Sequence, residues 1–285
     1  MNGMEGNFLG GGAASGIGMG RFEHGGDVYA HPGVIDFSAS LNPLGMPREV
    51  TDALCAGIAQ CAVYPDPCSR VLTRELAGYL GVSEERIVCT AGASDLFLRL
   101  VLACKPKRAV LASPCFSGYE HALRQVGAHI ERVNLDAACD FDVTRAFARP
   151  IVPGVDMVFL CSPNNPTGRA IAPDVLCAIA RQAQDAGALL VVDECFIELS
   201  EAPSFLHAAL AFPHVVVARA FTKTFSLAGL RLGYGVFSDV RLAQAVASCG
   251  CEWAVSVPAQ LAGVAALEAA GMRSAFIKAI DAIEG

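Results

Sequence analysis

PDVLCAIARQAQDAGALLVVDE, residues 173–194, shows in one stretch how the chain is built. A helical pattern from Pro173 to Ala186 runs into the short apolar strand Ala188–Val192, which ends on two acids, Asp193 and Glu194. The same alternation recurs on both sides, with strand-like runs at Arg86–Cys89, Ala109–Leu111, Val155–Cys161 and Val215–Ala218 and another helix from about Ser94. Short apolar runs separated by helices imply crossover connections, hence an α/β fold with a mostly parallel sheet covered on both faces. Sites in such sheets lie outside the carboxyl ends of the strands, so the residues that follow each strand are the ones to read.

After the last of these strands comes RAFTKTFSLAGLRLGYG, residues 219–235. Lys223 and Arg231 stand there among small and apolar neighbours, where a desolvated lysine becomes an amine nucleophile and an arginine fork clamps a phosphate. A buried loop whose cations snorkel outward fits the same letters. After the first strand, Thr90-Ala91-Gly92-Ala93-Ser94-Asp95 opens a helix: Gly92 permits a tight turn, Ser94 is a candidate cap, and the free N–H groups of the first turn form a phosphate site. Phe116, after Ala109–Leu111, is either core or an aromatic wall for a planar ligand. CSPNNPTG, residues 161–168, fixes two asparagines between prolines, and Asn165 is placed to donate to an oxyanion. Asp193, at a buried strand end, needs a partner, which a pyridinium N–H supplies while being kept protonated in return. Amide, acid, amine and phosphate clamp thus surround one cofactor, pyridoxal 5'-phosphate.

The rest of the chain bounds this reading. At 285 residues and 53 % hydrophobic it buries one large core or two moderate ones, and its net charge of -7, with both signs interspersed, gives no basic footprint for nucleic acid. No apolar run is long enough to span a bilayer, and the Gly-rich start lacks a secretory pattern, so a cytoplasmic protein is expected with residues 1–22 as a flexible leader. Twelve cysteines are scattered without metal-ligand spacing. Cys195, beside Asp193 and Glu194, reads as a core thiol because adjacent carboxylates raise its pKa. Phe22–Gly45 is loop-like; His24 with Gly25 and Gly26 is either an anion contact or solvated, and Asn42 before Pro43 either presents its amide inward or forms a plain turn. Tyr64-Pro65-Asp66-Pro67 breaks the helical pattern of Pro47–Leu80 and holds Tyr64 extended.

GASD at 92–95, SPNNPTG at 162–168, VVDECF at 191–196 and FTKTFSLAGLRLGY at 221–234 resemble fold-type-I pyridoxal-phosphate enzymes of the aspartate aminotransferase superfamily, close to histidinol-phosphate aminotransferases. HGGD at 24–27 and DFSASLNPLG at 36–45 are similar, more specifically, to threonine-phosphate decarboxylases. The resemblance implies a three-layer large domain over 48–238, an arm at 23–47, and the start of a small α+β domain at 239–285. It further implies that Lys223 is the Schiff-base lysine, that Asp193 meets the pyridine nitrogen and Asn165 the phenolic oxygen, and that Phe116 stacks on the ring. Gly92, Ala93, Ser94, Thr222 and Arg231 then hold the phosphate, Tyr64 reaches the phosphate of the neighbouring subunit of a homodimer, and His24, Gly25, Asn42 and Asn165 contact a small phosphorylated amino-acid substrate.

Phe196 stands where aminotransferases usually carry a tyrosine, and the chain ends at Gly285 inside a helical pattern, before the arginines that relatives supply to the substrate. The expected activity is decarboxylation of O-phospho-L-threonine in cobalamin biosynthesis. The alternatives are a class I/II aminotransferase acting on a substrate such as histidinol phosphate, and a truncated remnant that binds cofactor without turnover.

Overall fold

The computed structural model describes residues 25–29 and 31–269, so His24 lies outside it. Two compact units divide between Ser40 and Leu41. The larger is a seven-stranded sheet with helices on both faces. In chain order its elements are α1 (Arg48–Gly57), α2 (Arg70–Leu80), β1 (Ile87–Thr90), α3 (Ala93–Cys104), β2 (Arg108–Ser113), α4 (Ser117–Gln125), β3 (His129–Asn134), β4 (Met157–Cys161), α5 (Pro173–Ala186), β5 (Leu189–Asp193), α6 (Leu206–Ala209), β6 (Val215–Ala220), α7 (Phe221–Thr224), β7 (Gly233–Phe237), α8 (Val240–Ala247) and α9 (Val257–Glu268).

The strand order is β1-β7-β6-β5-β4-β2-β3. Strands β3, β2, β4, β5 and β6 run parallel, while β7 is antiparallel to both of its neighbours, β6 and β1. Two of these strands are not among the apolar runs of the sequence. In β3, HIERVN carries polar residues because it is an edge strand with largely exposed side chains. In β7, GYGVF places Gly233 and Gly235 where no side chain fits, a Cβ at Gly233 standing 2.6 Å from Ala93 N and one at Gly235 meeting Leu96.

The strand side chains alternate between two cores, as a sheet buried on both faces requires. One face collects Val110, Val158, Leu190, Val192 and Val217 against α2, α5 and α9. The other collects Leu111, Phe159, Val191 and Val216 against α3, α4 and α8. With both faces covered, the carboxyl ends of β1, β2, β4, β5 and β6 remain as the place where loop residues converge.

Candidate active site

Lys223 sits in α7, directly after β6, and is half-buried with Nζ 5.3 Å from the centroid of the Phe196 ring. Burial pushes the ammonium below its usual range, and Arg231 adds to that effect while Asp193 opposes it. Its turn is stitched down by Asn42: the Asn42 N–H donates to Lys223 O at 3.0 Å, its Nδ2 to Thr224 O at 2.8 Å, and Ser226 Oγ donates to Asn42 O at 2.8 Å. Asn42 Oδ1 accepts from the Leu44 N–H at 3.0 Å, so one side-chain N–H remains for any other partner. The buried Asn42 is therefore first a strut under the lysine.

Asp193 closes β5 and is buried, yet it already has partners of its own. Tyr119 Oη donates to its Oδ2 at 2.6 Å and the Cys195 N–H to its Oδ1 at 2.9 Å. Burial still raises the carboxyl above its ordinary value, against the pull of these donors. The sequence asks that this buried acid have a partner, and the chain itself already supplies a donor to each carboxylate oxygen. Tyr119 escaped sequence reading because a tyrosine in the first turn of an amphipathic helix reads as core, and its ring is core, stacked on Phe159 at 5.0 Å. The second acid, Glu194, is satisfied separately by Arg219 Nη2 at 2.8 Å, Ser204 Oγ at 2.8 Å and the Phe205 N–H at 2.5 Å. Cys195 is a buried thiol whose pKa is driven well above the usual range by burial, with the Asp193 charge adding to it.

At the start of α3, Gly92 occupies the N-cap with φ +86. Ser94 is therefore not the cap that its sequence position suggests; it is exposed in the first turn, and the Ala91 N–H is taken by Asp95 Oδ2 at 2.9 Å. A Cβ on Gly92 would stand 2.7 Å from Arg231 Nη2, which fixes the guanidinium directly over this turn. Arg231 is exposed rather than desolvated, in the left-handed region at φ +58, and donates to Ala228 O at 3.1 Å. Backbone N–H groups of a helix start, the Ala93 position and a guanidinium thus share one place, the arrangement that binds a phosphate dianion.

The remaining candidates surround this centre unevenly. Phe116 is half-buried, edge-on to Tyr119 at 5.6 Å, and its ring lies against Gly118, where a Cβ would be 2.3 Å away. Asn164, not Asn165, is the buried amide of its turn, donating to Pro114 O at 3.1 Å and to Thr167 Oγ1 at 3.0 Å, which leaves Asn165 half-buried beside it. Thr222 is half-buried next to the lysine. Tyr64 is far more exposed, at 77 %, with its ring 4.7 Å from that of Trp253. In the smaller unit Gly26 N donates to Ser38 Oγ at 2.7 Å, Ser38 is held in turn by Asp36, and a Cβ on Gly25 would be 2.5 Å from Ser38 O.

Comparison with known proteins places this geometry. The family model "Aminotransferase class I and II" matches residues 32–283. The threonine-phosphate decarboxylase of Salmonella typhimurium is 36 % identical over 236 residues, covering 82 % of this chain and 65 % of the relative. The histidinol-phosphate aminotransferase of Methanococcoides burtonii is 34 % identical over 238 residues, covering 82 % and 64 %. The crystal structure of the histidinol-phosphate aminotransferase of Clostridium acetobutylicum superposes with a TM-score of 0.78 at 25 % identity, covering 86 % of this chain and 73 % of that one. The chain thus spans about 65 % of the length of the curated relatives it matches. It belongs to the class I and II aminotransferases, the family of pyridoxal-phosphate enzymes that its motifs resemble.

Proposed function

We propose that this chain binds pyridoxal 5'-phosphate at the carboxyl ends of the sheet and serves the decarboxylation of O-phospho-L-threonine. The residues present fit the cofactor: a half-buried amine of lowered pKa, a buried carboxylate with lone pairs to spare, and a guanidinium over a helix start that has no room for a Cβ at Gly92. Gly92, Ala93, Ser94, Thr222 and Arg231 would hold its phosphate, Phe116 its ring and Asn165 its phenolic oxygen, while Tyr64 would serve the neighbouring subunit of a homodimer. Bound there, the cofactor supplies an electron sink for the pair left at Cα when a bond to it breaks.

The chain's own groups set the rest. Asp193, held as a carboxylate by Tyr119 and the Cys195 N–H, keeps the proton on the ring nitrogen. Lys223, with its pKa lowered, is a nucleophile nearer neutral pH as the free amine, and once its Nζ has taken up a proton the ammonium donates that proton to Cα after CO2 has left. Phe196 offers Lys223 a ring face and no hydroxyl.

The observation that carries decarboxylase over aminotransferase is the joining of the two decarboxylase-like motifs, in which the Gly26 N–H donates to Ser38 Oγ and Gly25 lies so close to Ser38 that a Cβ has no room. The identity to a threonine-phosphate decarboxylase points the same way. The test is to supply phosphothreonine and measure CO2 release, alongside amino transfer from histidinol phosphate to 2-oxoglutarate. Transfer without CO2 release overturns the choice and favours the aminotransferase reading, which the 34 % identity to a histidinol-phosphate aminotransferase supports.

A further inference from the structure

Arg99 lies within α3 and is 5 % exposed, an unusual setting for a side chain that stays charged. Each of its three nitrogens has a partner: Nε donates to Asp95 Oδ2 at 2.9 Å, Nη1 to Cys249 O at 2.6 Å and Nη2 to Cys251 O at 3.1 Å. On one side, the same Asp95 oxygen accepts the Ala91 N–H, in the turn between Thr90 and Gly92 that begins the candidate phosphate site. On the other, Gly250 stands at φ +86, and a Cβ there would be 3.0 Å from Arg99 Cζ and Nε, so the guanidinium lies close against that peptide. Three residues beyond Gly250, Trp253, at φ +52, packs against Tyr64. One buried guanidinium therefore joins the candidate phosphate turn to the loop that carries Trp253, one ring of that aromatic pair.

We propose that Arg99 is a positioning residue that sets both ends at once, so that affinity for the cofactor's phosphate depends on the 249–253 loop. The inference rests on the reading of the Gly92 turn as the phosphate site. If the loop moves, the guanidinium loses two carbonyl acceptors and is left buried with one partner; it must then follow the loop, and Asp95 loses the charge that orients it toward Ala91. Lysine at this position keeps the charge for Asp95 but has no planar fork to span two carbonyls.

The test uses the whole chain as wild type, Arg99→Met, Arg99→Lys, Gly250→Ala and Gln244→Ala, the last lining the same groove as a control. Two quantities are read: emission of Trp253, the single tryptophan of the chain, in cofactor-free protein, and the Kd for pyridoxal phosphate from absorbance titration well below the melting temperature. Arg99→Met should weaken binding about tenfold, equivalent to about 1.4 kcal/mol, and shift the emission to the red. Arg99→Lys should fall between it and wild type, Gly250→Ala should change both readouts although residue 250 is outside the phosphate turn, and Gln244→Ala should change neither. An unchanged Kd in Arg99→Met and Gly250→Ala, or a weakened Kd with unmoved emission, overturns the coupling. Should Arg99→Met fail to fold, Arg99→Lys and Gly250→Ala decide it. A wild type that takes up no pyridoxal phosphate overturns the cofactor reading instead, and the emission comparison, which needs no cofactor, still decides whether Arg99 sets the loop.

Discussion

Replacing Tyr119 with phenylalanine removes one hydroxyl and leaves a ring able to stay stacked on Phe159 and edge-on to Phe97 and Phe116. That hydroxyl donates at 2.6 Å to Asp193. A hydrogen bond to a charged group contributes about 1.5–3 kcal/mol and one to a neutral group about 1 kcal/mol, so its loss raises the Asp193 pKa further, the charged form losing about 0.5–2 kcal/mol more than the neutral one. Burial already holds this carboxyl above its ordinary value, so over a window of pH the folded protein keeps a proton that the unfolded chain has released. Within that window stability falls as pH rises, and the substitution extends the fall to higher pH. At pH 8 the variant should be less stable than wild type by about 1.5–3 kcal/mol, or about 3–12 °C in Tm. At pH 4, close to the unfolded value, the gap should shrink to the roughly 1 kcal/mol of a neutral hydrogen bond. Thermal melts of both cofactor-free proteins at the two pH values measure the difference, since their other titrating groups are shared. An equal gap at pH 4 and pH 8 refutes the idea that the phenol holds a charge.

Other outcomes follow from the same fold. With pyridoxal phosphate the wild type should show a near-visible absorbance that borohydride abolishes, leaving the label on Lys223; a label elsewhere overturns that assignment. Arg231→Ala should raise the cofactor Kd about tenfold, near the low end for a charged contact because the guanidinium is exposed, and an unchanged Kd makes Arg231 structural. Gly233→Ala sets a Cβ 2.6 Å from the backbone of Ala93, and because backbone cannot yield cheaply it should cost about 1–3 kcal/mol or more in chemical denaturation. Glu194→Ala leaves Arg219 buried with only Glu198 as a charged partner and should cost about 3–5 kcal/mol, whereas a loss below 1 kcal/mol would mean that the ion pair is idle.

What could be read from the letters alone follows from how each element is buried. Strands sealed on both faces, such as Leu189–Asp193, print as apolar runs, whereas β3 at the sheet edge and glycine-bearing β7 leave no such trace. The residues after the strands were legible because topology forces them together. Partners were not: nothing in the spacing says that Tyr119 meets Asp193, 74 positions away, or that Asn42 supports Lys223, because those contacts are made by the folded chain. Ser94 as a cap failed for a local reason, since glycine at positive φ took the cap position and Asp95 took the N–H of Ala91.

The reversed strand β7 has a consequence for the order in which the molecule comes together. It pairs with β6 across a loop of 12 residues, so Lys223 and Arg231 lie within one nearly local hairpin. Its other edge pairs with β1, where Thr90 meets Gly233 from roughly 140 positions away. Closing so wide a loop carries an entropic cost that the hairpin does not face, which makes the β1 side the late-forming one. Amide protection in pulse-labelled refolding should therefore rise along β6 and β7 before it rises in β1, and the Gly92 turn that follows β1 should be the last part of the candidate site to exist. Lys223 and Arg231 would thus stand together before the helix start that Arg231 faces has formed.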